Sequence, residues 1–246
     1  MVIRNLMHLI QREPRRERIG YFSICYTVDD EHLVIGRTAG RISIIGTNQP
    51  THTSFIAHEN DIKAVRCSKI NPNIFYSGDV DGYCKMWDDR VPHSNYKAPL
   101  AMSTMSNYSI TNIDVDNYDR YLVTTSAAIK FDIWDLRRLS ENNLLGMRRR
   151  EENNPSATPV YLHNAMRITK DDMTALFWQV KFSPPRTGNR YIYSCGNTGY
   201  VNIFDIMTGA VVREFRPDYS TVCDCSWHPN ENEIVTVTVR LIRSIN

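Results

Sequence analysis

The 246-residue sequence predicts an all-β chain of the β-propeller class. Three observations carry this expectation. Short β-branched and aromatic runs recur along the chain, each bounded by turn residues. The runs come in triplets, and a Trp-Asp pair closes two of them, 47 residues apart. No long stretch shows a helical apolar period, and only Ala165 to Ala175 has room for a helical turn.

The runs justify themselves in order. Tyr21 to Val28 alternates and stops at Asp29-Asp30. His32 to Thr38 and Arg41 to Gly46 flank the turn Ala39-Gly40. Asp61 to Ser68, Ile74 to Gly78 and Tyr83 to Asp88 form the next triplet, with Asp81-Gly82 as a turn. Ile110 to Val115, Arg120 to Ser126 and Ile129 to Asp135 repeat it, and so do Trp178 to Pro184, Arg190 to Gly196 and Tyr200 to Ile206. Repeats of the WD40 type recur every 40–45 residues or so, with Gly-His early and Trp-Asp late. The unit with Ala57-His58, Asp81-Gly82 and Trp87-Asp88 fits best. Trp134-Asp135 closes the next, Phe204-Asp205 a later one, and Ile44-Ile45 stands in a degenerate earlier one. The polar segment Ser140 to Pro159 breaks the pattern and is expected to be an exposed insertion between blades. Residues 1–19 are expected to lead in from a preceding blade, with propeller blades over 20–246.

Composition excludes several classes. Apolar residues make up 42% and charged residues 23%, as in ordinary globular domains and unlike disordered or collagen-like chains. A net charge of +2 gives no general electrostatic case for nucleic acid or an anionic membrane. No apolar run approaches the length of a membrane helix, about 18–20 residues. The opening segment lacks a signal-peptide core and cleavage site, so an intracellular protein is expected. The six cysteines contain no CxxC and are expected to be reduced and mostly buried.

His58, Ser77, Asp81 and Trp87 could be mistaken for a nucleophile triad with a neighbour. Their placement in a WD40 unit favours a structural tetrad, in which indole, hydroxyl, imidazole and carboxylate are hydrogen-bonded in sequence. Cys223, Cys225 and His228 read CxCxxH, but a structural zinc site needs a fourth ligand and none is near, so no metal is expected. No phosphate loop, GxSxG or HExxH occurs, so no catalytic residue and no cofactor are expected. The informative motif is Trp-Asp-x-Arg, present as Trp87-Asp88-Asp89-Arg90 and Trp134-Asp135-Leu136-Arg137. An Arg just after the packed Trp emerges on a propeller face, where its planar fork can take a carboxylate. Asp88, Arg90, Asp135 and Arg137 are therefore candidate partner-binding residues.

The segments SFIAHENDIKAVRCS, NIFYSGDVDGYCKMWDDR, IKFDIWDLRRLS, RYIYSCGNTGYVNIFDIMTGAVVREF and VCDCSWHPNENEIV resemble, in order, the family of WD-repeat protein 23, also called cullin-4-associated factor 11. The resemblance implies a non-catalytic substrate receptor of a cullin-4 RING ubiquitin ligase. Its WDxR box would dock on the ligase's damaged-DNA-binding adaptor protein and present an unidentified protein substrate for ubiquitination and proteasomal degradation. Ile74 to Arg90 matches that box well; in the next unit Ala127-Ala128 replaces its Asp-containing turn. A receptor of this kind works in the nucleus and cytoplasm. The alternative is a WD40 scaffold in a chromatin, RNA or signalling complex without a ligase. A seven-bladed ring needs about 280–315 residues. The chain is therefore expected to be an incomplete ring of four to five blades, a fragment or truncated product, with an unfinished last unit at RLIRSIN.

Overall fold

The computed structural model describes residues 19–48, 51–91, 101–104, 108–126, 131–138, 177–217, 220–238 and 242–245. These residues form five antiparallel sheets, each a meander whose strands follow chain order. The first contains β1 (Tyr21–Tyr26), β2 (His32–Arg37), β3 (Arg41–Gly46) and β4 (His52–Ile56). The second contains β5 (Ile62–Cys67), β6 (Ile74–Asp79), β7 (Tyr83–Asp88) and β8 (Ala101–Thr104). The third is β9 (Ile110–Val115), β10 (Tyr121–Ser126) and β11 (Phe131–Asp135). The fourth is β12 (Phe177–Phe182), β13 (Tyr191–Gly196), β14 (Val201–Asp205) and β15 (Val211–Phe215). The fifth is β16 (Val222–Trp227), β17 (Ile234–Thr238) and β18 (Ile242–Ile245). Among the described residues the only helical pieces are 3-10 turns at Leu136–Arg138 and Pro185–Thr187.

The sheets are blades of a propeller. The first strand of each packs on the first and second strands of the sheet before it, in the series β1, β5, β9, β12, β16. No comparable packing joins the fifth sheet to the first among the described residues, so the blades form an open arc. This matches the expected incomplete ring, with five sheets where four to five blades are predicted. The last unit differs from expectation. Residues 242–245 add a third strand to it, pairing Ile234 with Ile245 and Val237 with Ile242. The segments Ser140 to Pro159, Ala165 to Ala175 and Ala127-Ala128 lie outside the described residues.

Strand alternation places the core between blades rather than within one. Val34, Ile42 and Phe55 of the first sheet meet Ile62, Phe75 and Trp87 of the second. Ala64, Tyr76 and Cys84 then meet Ile110, Ile113 and Leu122. Val123 and Phe131 meet Val180 and Ile192, and Tyr193 and Val201 meet Val222 and Cys225. Thiols follow the same rule: Cys25 Sγ of β1 and Cys67 Sγ of β5 face each other at 2.6 Å across the first interface. At the outer end of the arc, β1 exposes Phe22, Ile24 and Tyr26, with Lys63 Nζ of β5 over the Phe22 ring at 3.2 Å.

Two glycines set how closely the blades approach. A Cβ on Gly36 would lie 2.8 Å from Ile62 Cγ2. On Gly78 it would lie 2.5 Å from Ile110 Cγ2 and 2.9 Å from Ile110 Cβ. Ile62 and Ile110 are both fully buried and each opens the first strand of the next blade. Gly78→Ala should therefore overpack the interface between the second and third blades and cost about 1–3 kcal/mol. Thermal melts of Gly78→Ala, Ile110→Ala and the double variant check it. Ile110→Ala should destabilise the Gly78→Ala background less than the wild type.

Candidate functional site

The tetrad is built from the crossing between the first and second blades. Gly40 shapes that crossing, with φ at +64° and a position where any Cβ would fall 1.8 Å from the His58 carbonyl oxygen. Its own carbonyl accepts the Ala57 N–H at 2.8 Å and the His58 N–H at 3.1 Å. The His58 ring is thereby inserted into the second sheet. Trp87 Nε1–H donates to Ser77 Oγ at 2.8 Å, and Ser77 Oγ lies 2.6 Å from His58 Nε2. His58 Nδ1 lies 2.8 Å from Asp79 Oδ2. With the indole donating to Ser77, the network assigns the hydroxyl proton to Nε2 and the ring proton to Nδ1. Asp79 Oδ1 accepts the Tyr83 N–H at 2.8 Å, which satisfies the carboxylate on both sides.

The carboxylate of the tetrad is thus Asp79, not Asp81 as the turn signature suggested. Ser77 and Asp79 are two apart on β6 and share a face, so both can reach one imidazole. Asp81 lies beyond the strand end and accepts from Asn60 Nδ2 at 2.7 Å on the surface. All four members of the corrected tetrad are buried, and Ser77 has no exposed surface at all, which keeps a substrate from its hydroxyl. Burial holds the His58 ring below the ordinary imidazole value of 6.5, opposed by its hydrogen bond to Asp79.

Among the described residues, the third blade keeps one bond of this network and the fourth keeps none. Trp134 Nε1–H donates to Thr124 Oγ1 at 2.9 Å, the same pairing one blade on. In the fourth blade Phe204 replaces the Trp and has no N–H to give. Ser194 Oγ, two residues beyond Ile192 opposite Phe204, is buried without a hydrogen-bond partner.

The WDxR residues lie at the other edge of the same sheets. Asp88 pairs with Ile74 in register, and Asp135 with Tyr121, so the two carboxylates occupy equivalent positions. Both are buried. Arg90 donates from Nε to Asp88 Oδ1 at 3.0 Å and from Nη2 to Oδ2 at 2.6 Å. Arg137 donates from Nε to Asp135 Oδ1 and from Nη2 to Oδ2, both at 2.8 Å, and from Nη2 to Tyr121 OH at 2.8 Å. In each pair the Asp Oδ1 also accepts the Arg backbone N–H at 3.0 Å. The sequence suggested that the fork would be open to a partner's carboxylate. Instead its Nε/Nη2 edge is already held by its own aspartate. Among the described residues neither Nη1 makes a hydrogen bond, and the side chains are 64% exposed for Arg90 and 55% for Arg137.

A third carboxylate stands in the same position. Asp205 pairs with Tyr191 in register, and its Oδ1 accepts the Met207 N–H at 2.8 Å. No Arg follows two residues later. Arg190, at the mouth of β13, donates Nε to Asp205 Oδ2 at 2.8 Å, with Nη2 2.7 Å from the same oxygen. That hydrogen bond holds the Asp205 carboxyl below the usual carboxylate range. Arg190 escapes a reading confined to WDxR; the repeated Arg-Tyr of 120–121 and 190–191 is the signal that marks its place.

The CxCxxH segment assembles no ligand set. A register shift between Val222 and Asp224 separates its two cysteines in environment, leaving Cys223 half-buried and Cys225 buried. His228 Nδ1 accepts the backbone N–H groups of Asn230 and Glu231 at 3.2 and 2.9 Å, so it caps a turn. No three metal-ligating side chains cluster among the described residues.

Removing the tetrad carboxylate leaves a buried imidazole half-satisfied. Asp79→Ala should cost about 2–3 kcal/mol and lower Tm by about 5–10 °C, whereas Asp81→Ala should change Tm by less than about 2 °C. Melting curves of the two variants decide between the carboxylates. Stability should also fall as the pH drops below the ordinary imidazole value of 6.5, because the unfolded chain then takes up a proton that buried His58 refuses. Tm measured between pH 7 and 5 should decline, and the decline should be shallower in His58→Asn.

Residues 48–88 match the family model of the WD domain, G-beta repeat. A Caenorhabditis elegans protein named DDB1- and CUL4-associated factor 11 homolog is 29% identical over 241 residues, covering 91% of this chain and 42% of the relative. A Caenorhabditis briggsae protein of the same name is 28% identical over 232 residues, covering 88% of this chain and 42% of the relative. The LEC14B protein of Lithospermum erythrorhizon is 29% identical over 232 residues, covering 88% of this chain and 48% of the relative. The chain thus spans less than half the length of these curated relatives. The β-propeller domain of Myceliophteria thermophila Cps50 (Swd1) aligns with a TM-score of 0.69 at 11% identity, over 91% of this chain and 64% of that one. A chain of the mitotic checkpoint complex aligns with a TM-score of 0.68 at 18% identity, over 90% of this chain and 60% of that one. The chain is a WD40-type β-propeller arc, similar over 91% of its length to a curated DDB1- and CUL4-associated factor 11 homolog.

Proposed function

We propose that the chain acts as the substrate-receptor propeller of a cullin-4 RING ubiquitin ligase and docks on DDB1 through Arg90 and Arg137. The observation that carries this reading is the pair of forks at one register position of consecutive blades. Asp88 and Asp135 are buried and orient the guanidinium groups, while the Arg90 and Arg137 side chains stay largely exposed. An aligned guanidinium of this kind loses little side-chain entropy when it meets a partner carboxylate. The names of the curated relatives supply the class of partner: DDB1 and a cullin-4 protein.

The receptor is non-catalytic and needs no cofactor. Its buried tetrad holds a blade together, and its exposed arginines hold a partner. Bringing a protein substrate beside a ubiquitin-loaded enzyme raises the effective concentration of one for the other, which is the whole of its contribution to the reaction. Ubiquitination marks that substrate for proteasomal degradation.

Arg90→Ala combined with Arg137→Ala should weaken binding to purified DDB1 about tenfold or more. Tm should change by only a few degrees, since surface ion pairs contribute about 0–1 kcal/mol each. Unchanged binding in the double variant would favour the scaffold reading, in which the propeller serves a chromatin, RNA or signalling assembly.

A further inference from the structure

We propose that Arg190 is a third docking residue, extending the arginine row of Arg90 and Arg137 onto the fourth blade, where it takes a carboxylate of the same partner surface. This rests on the DDB1-docking reading above. Three observations carry it.

The carboxylates are equivalent. Asp88, Asp135 and Asp205 each close the third strand of a blade, opposite the first residue of the second strand. Each uses Oδ1 to accept the backbone N–H two residues on, at 3.0, 3.0 and 2.8 Å. The same acceptor geometry therefore recurs at one edge of three successive sheets.

The guanidinium is supplied from a different place in the chain. Where the second and third blades use the residue after the strand, the fourth has Met207 there, with 68% of its surface exposed. Arg190 instead reaches Asp205 from the start of the neighbouring strand, with Nε and Nη2 at 2.8 and 2.7 Å from Oδ2. Its counterpart in the third blade, Arg120, points elsewhere and pairs with Asp116, its Nε 3.0 Å from Oδ2. A guanidinium on Asp205 is therefore not forced by the Arg-Tyr position itself.

The exposed chemistry matches. The Arg190 side chain is 55% exposed, as Arg137 is, and its Nη1 donors have no partner among the described residues. Its guanidinium lies 5.7 Å from the centre of the Tyr191 ring, as Arg137 lies 4.9 Å from that of Tyr121. At both Arg137 and Arg190 an exposed guanidinium thus lies beside an aromatic ring, with the local carboxylate buried. A partner surface carrying carboxylates fits such a row; a basic one does not. The third and fourth blades pack directly on each other, so the row is continuous.

The test uses the full chain and purified DDB1, with the dissociation constant and Tm measured for every variant. Arg190→Ala should weaken binding by about 3–10-fold with Tm nearly unchanged. The double variant Arg190→Ala with Met207→Arg should bind within about twofold of wild type, because it rebuilds an Asp-x-Arg fork on Asp205 by the route the other blades use. Wild-type affinity in Arg190→Ala, with weakened binding in the Arg90→Ala/Arg137→Ala variant, would overturn the third site and leave the docking reading standing. A loss in Arg190→Ala that Met207→Arg does not repair would also overturn it. No weakening in the Arg90→Ala/Arg137→Ala variant would overturn the docking reading, and the third site with it.

Discussion

Close approach between neighbouring blades is the constraint on which the other features rest. At Gly36 and Gly78 the backbone of one sheet leaves room only for a side chain from the next, and Ile62 and Ile110 fill those spaces completely. Each blade alone would expose a hydrophobic face on both sides. Stacking converts those faces into inter-blade cores, so a blade is folded by its neighbour as much as by its own strands. Polar groups follow the same logic. Asp114 of β9 forms an ion pair with Arg66 of the second blade at 2.7 Å and accepts the Phe182 N–H of the fourth at 2.9 Å. One buried carboxylate thereby ties three consecutive blades together. Lys181 joins the fourth blade to the fifth, donating to Asp224 Oδ1 at 2.6 Å and to the Cys225 carbonyl at 2.8 Å.

Fixed spacing between blades turns a local turn motif into an extended surface. A single Asp–Arg pair at the end of a strand is worth little on its own, because it is half in water. Repeated at one register position of sheets locked face to face, such pairs become an array with defined geometry. The buried carboxylate acts as the orienting group, and the rest of the guanidinium stands on an exposed side chain. The tetrad reinforces this in the second blade. Its indole hydrogen bond fixes Trp87, and the next residue is Asp88, so the anchor of the blade and the anchor of the fork are covalently adjacent.

The repeat pattern is legible in the sequence because strand alternation and turn residues act over a few residues each. Strand triplets, the Trp-Asp spacing and the five-unit count follow from that local chemistry. The WDxR motifs are legible as well, but not that each arginine folds back onto its own aspartate two residues earlier. What local chemistry does not specify is choice among near-equivalent groups. Asp79 and Asp81 both flank the β6–β7 turn, and only the pleat, which puts Ser77 and Asp79 on one face, selects Asp79. The strand at Ile242–Ile245 is carried by pairing with β17, which supplies the ladder that its own four residues cannot announce. Arg190 is hidden for a third reason: its partner Asp205 is adjacent across the sheet but lies 15 residues along the chain.

The fourth blade shows how far the two edges of a WD40 sheet can diverge. At one edge it lacks the indole donor: a buried Phe204 stands where the second and third blades have a Trp, and the Ser194 hydroxyl is buried without a hydrogen-bond partner. A buried hydroxyl left unpaired costs free energy, so this edge is maintained by packing alone. At the other edge the ion pair persists although the residue that normally provides it is Met207. A guanidinium from another strand has taken its place on an unchanged carboxylate. If the pair served only to stabilise the turn, the Asp205 Oδ1 bond to the Met207 N–H would suffice, as it needs no cation. The blade keeps its exposed cation while giving up its buried hydrogen bond. The two edges of this blade are therefore held differently: one by packing around an unpaired hydroxyl, the other by an ion pair supplied across the sheet to a carboxylate that also accepts a turn N–H.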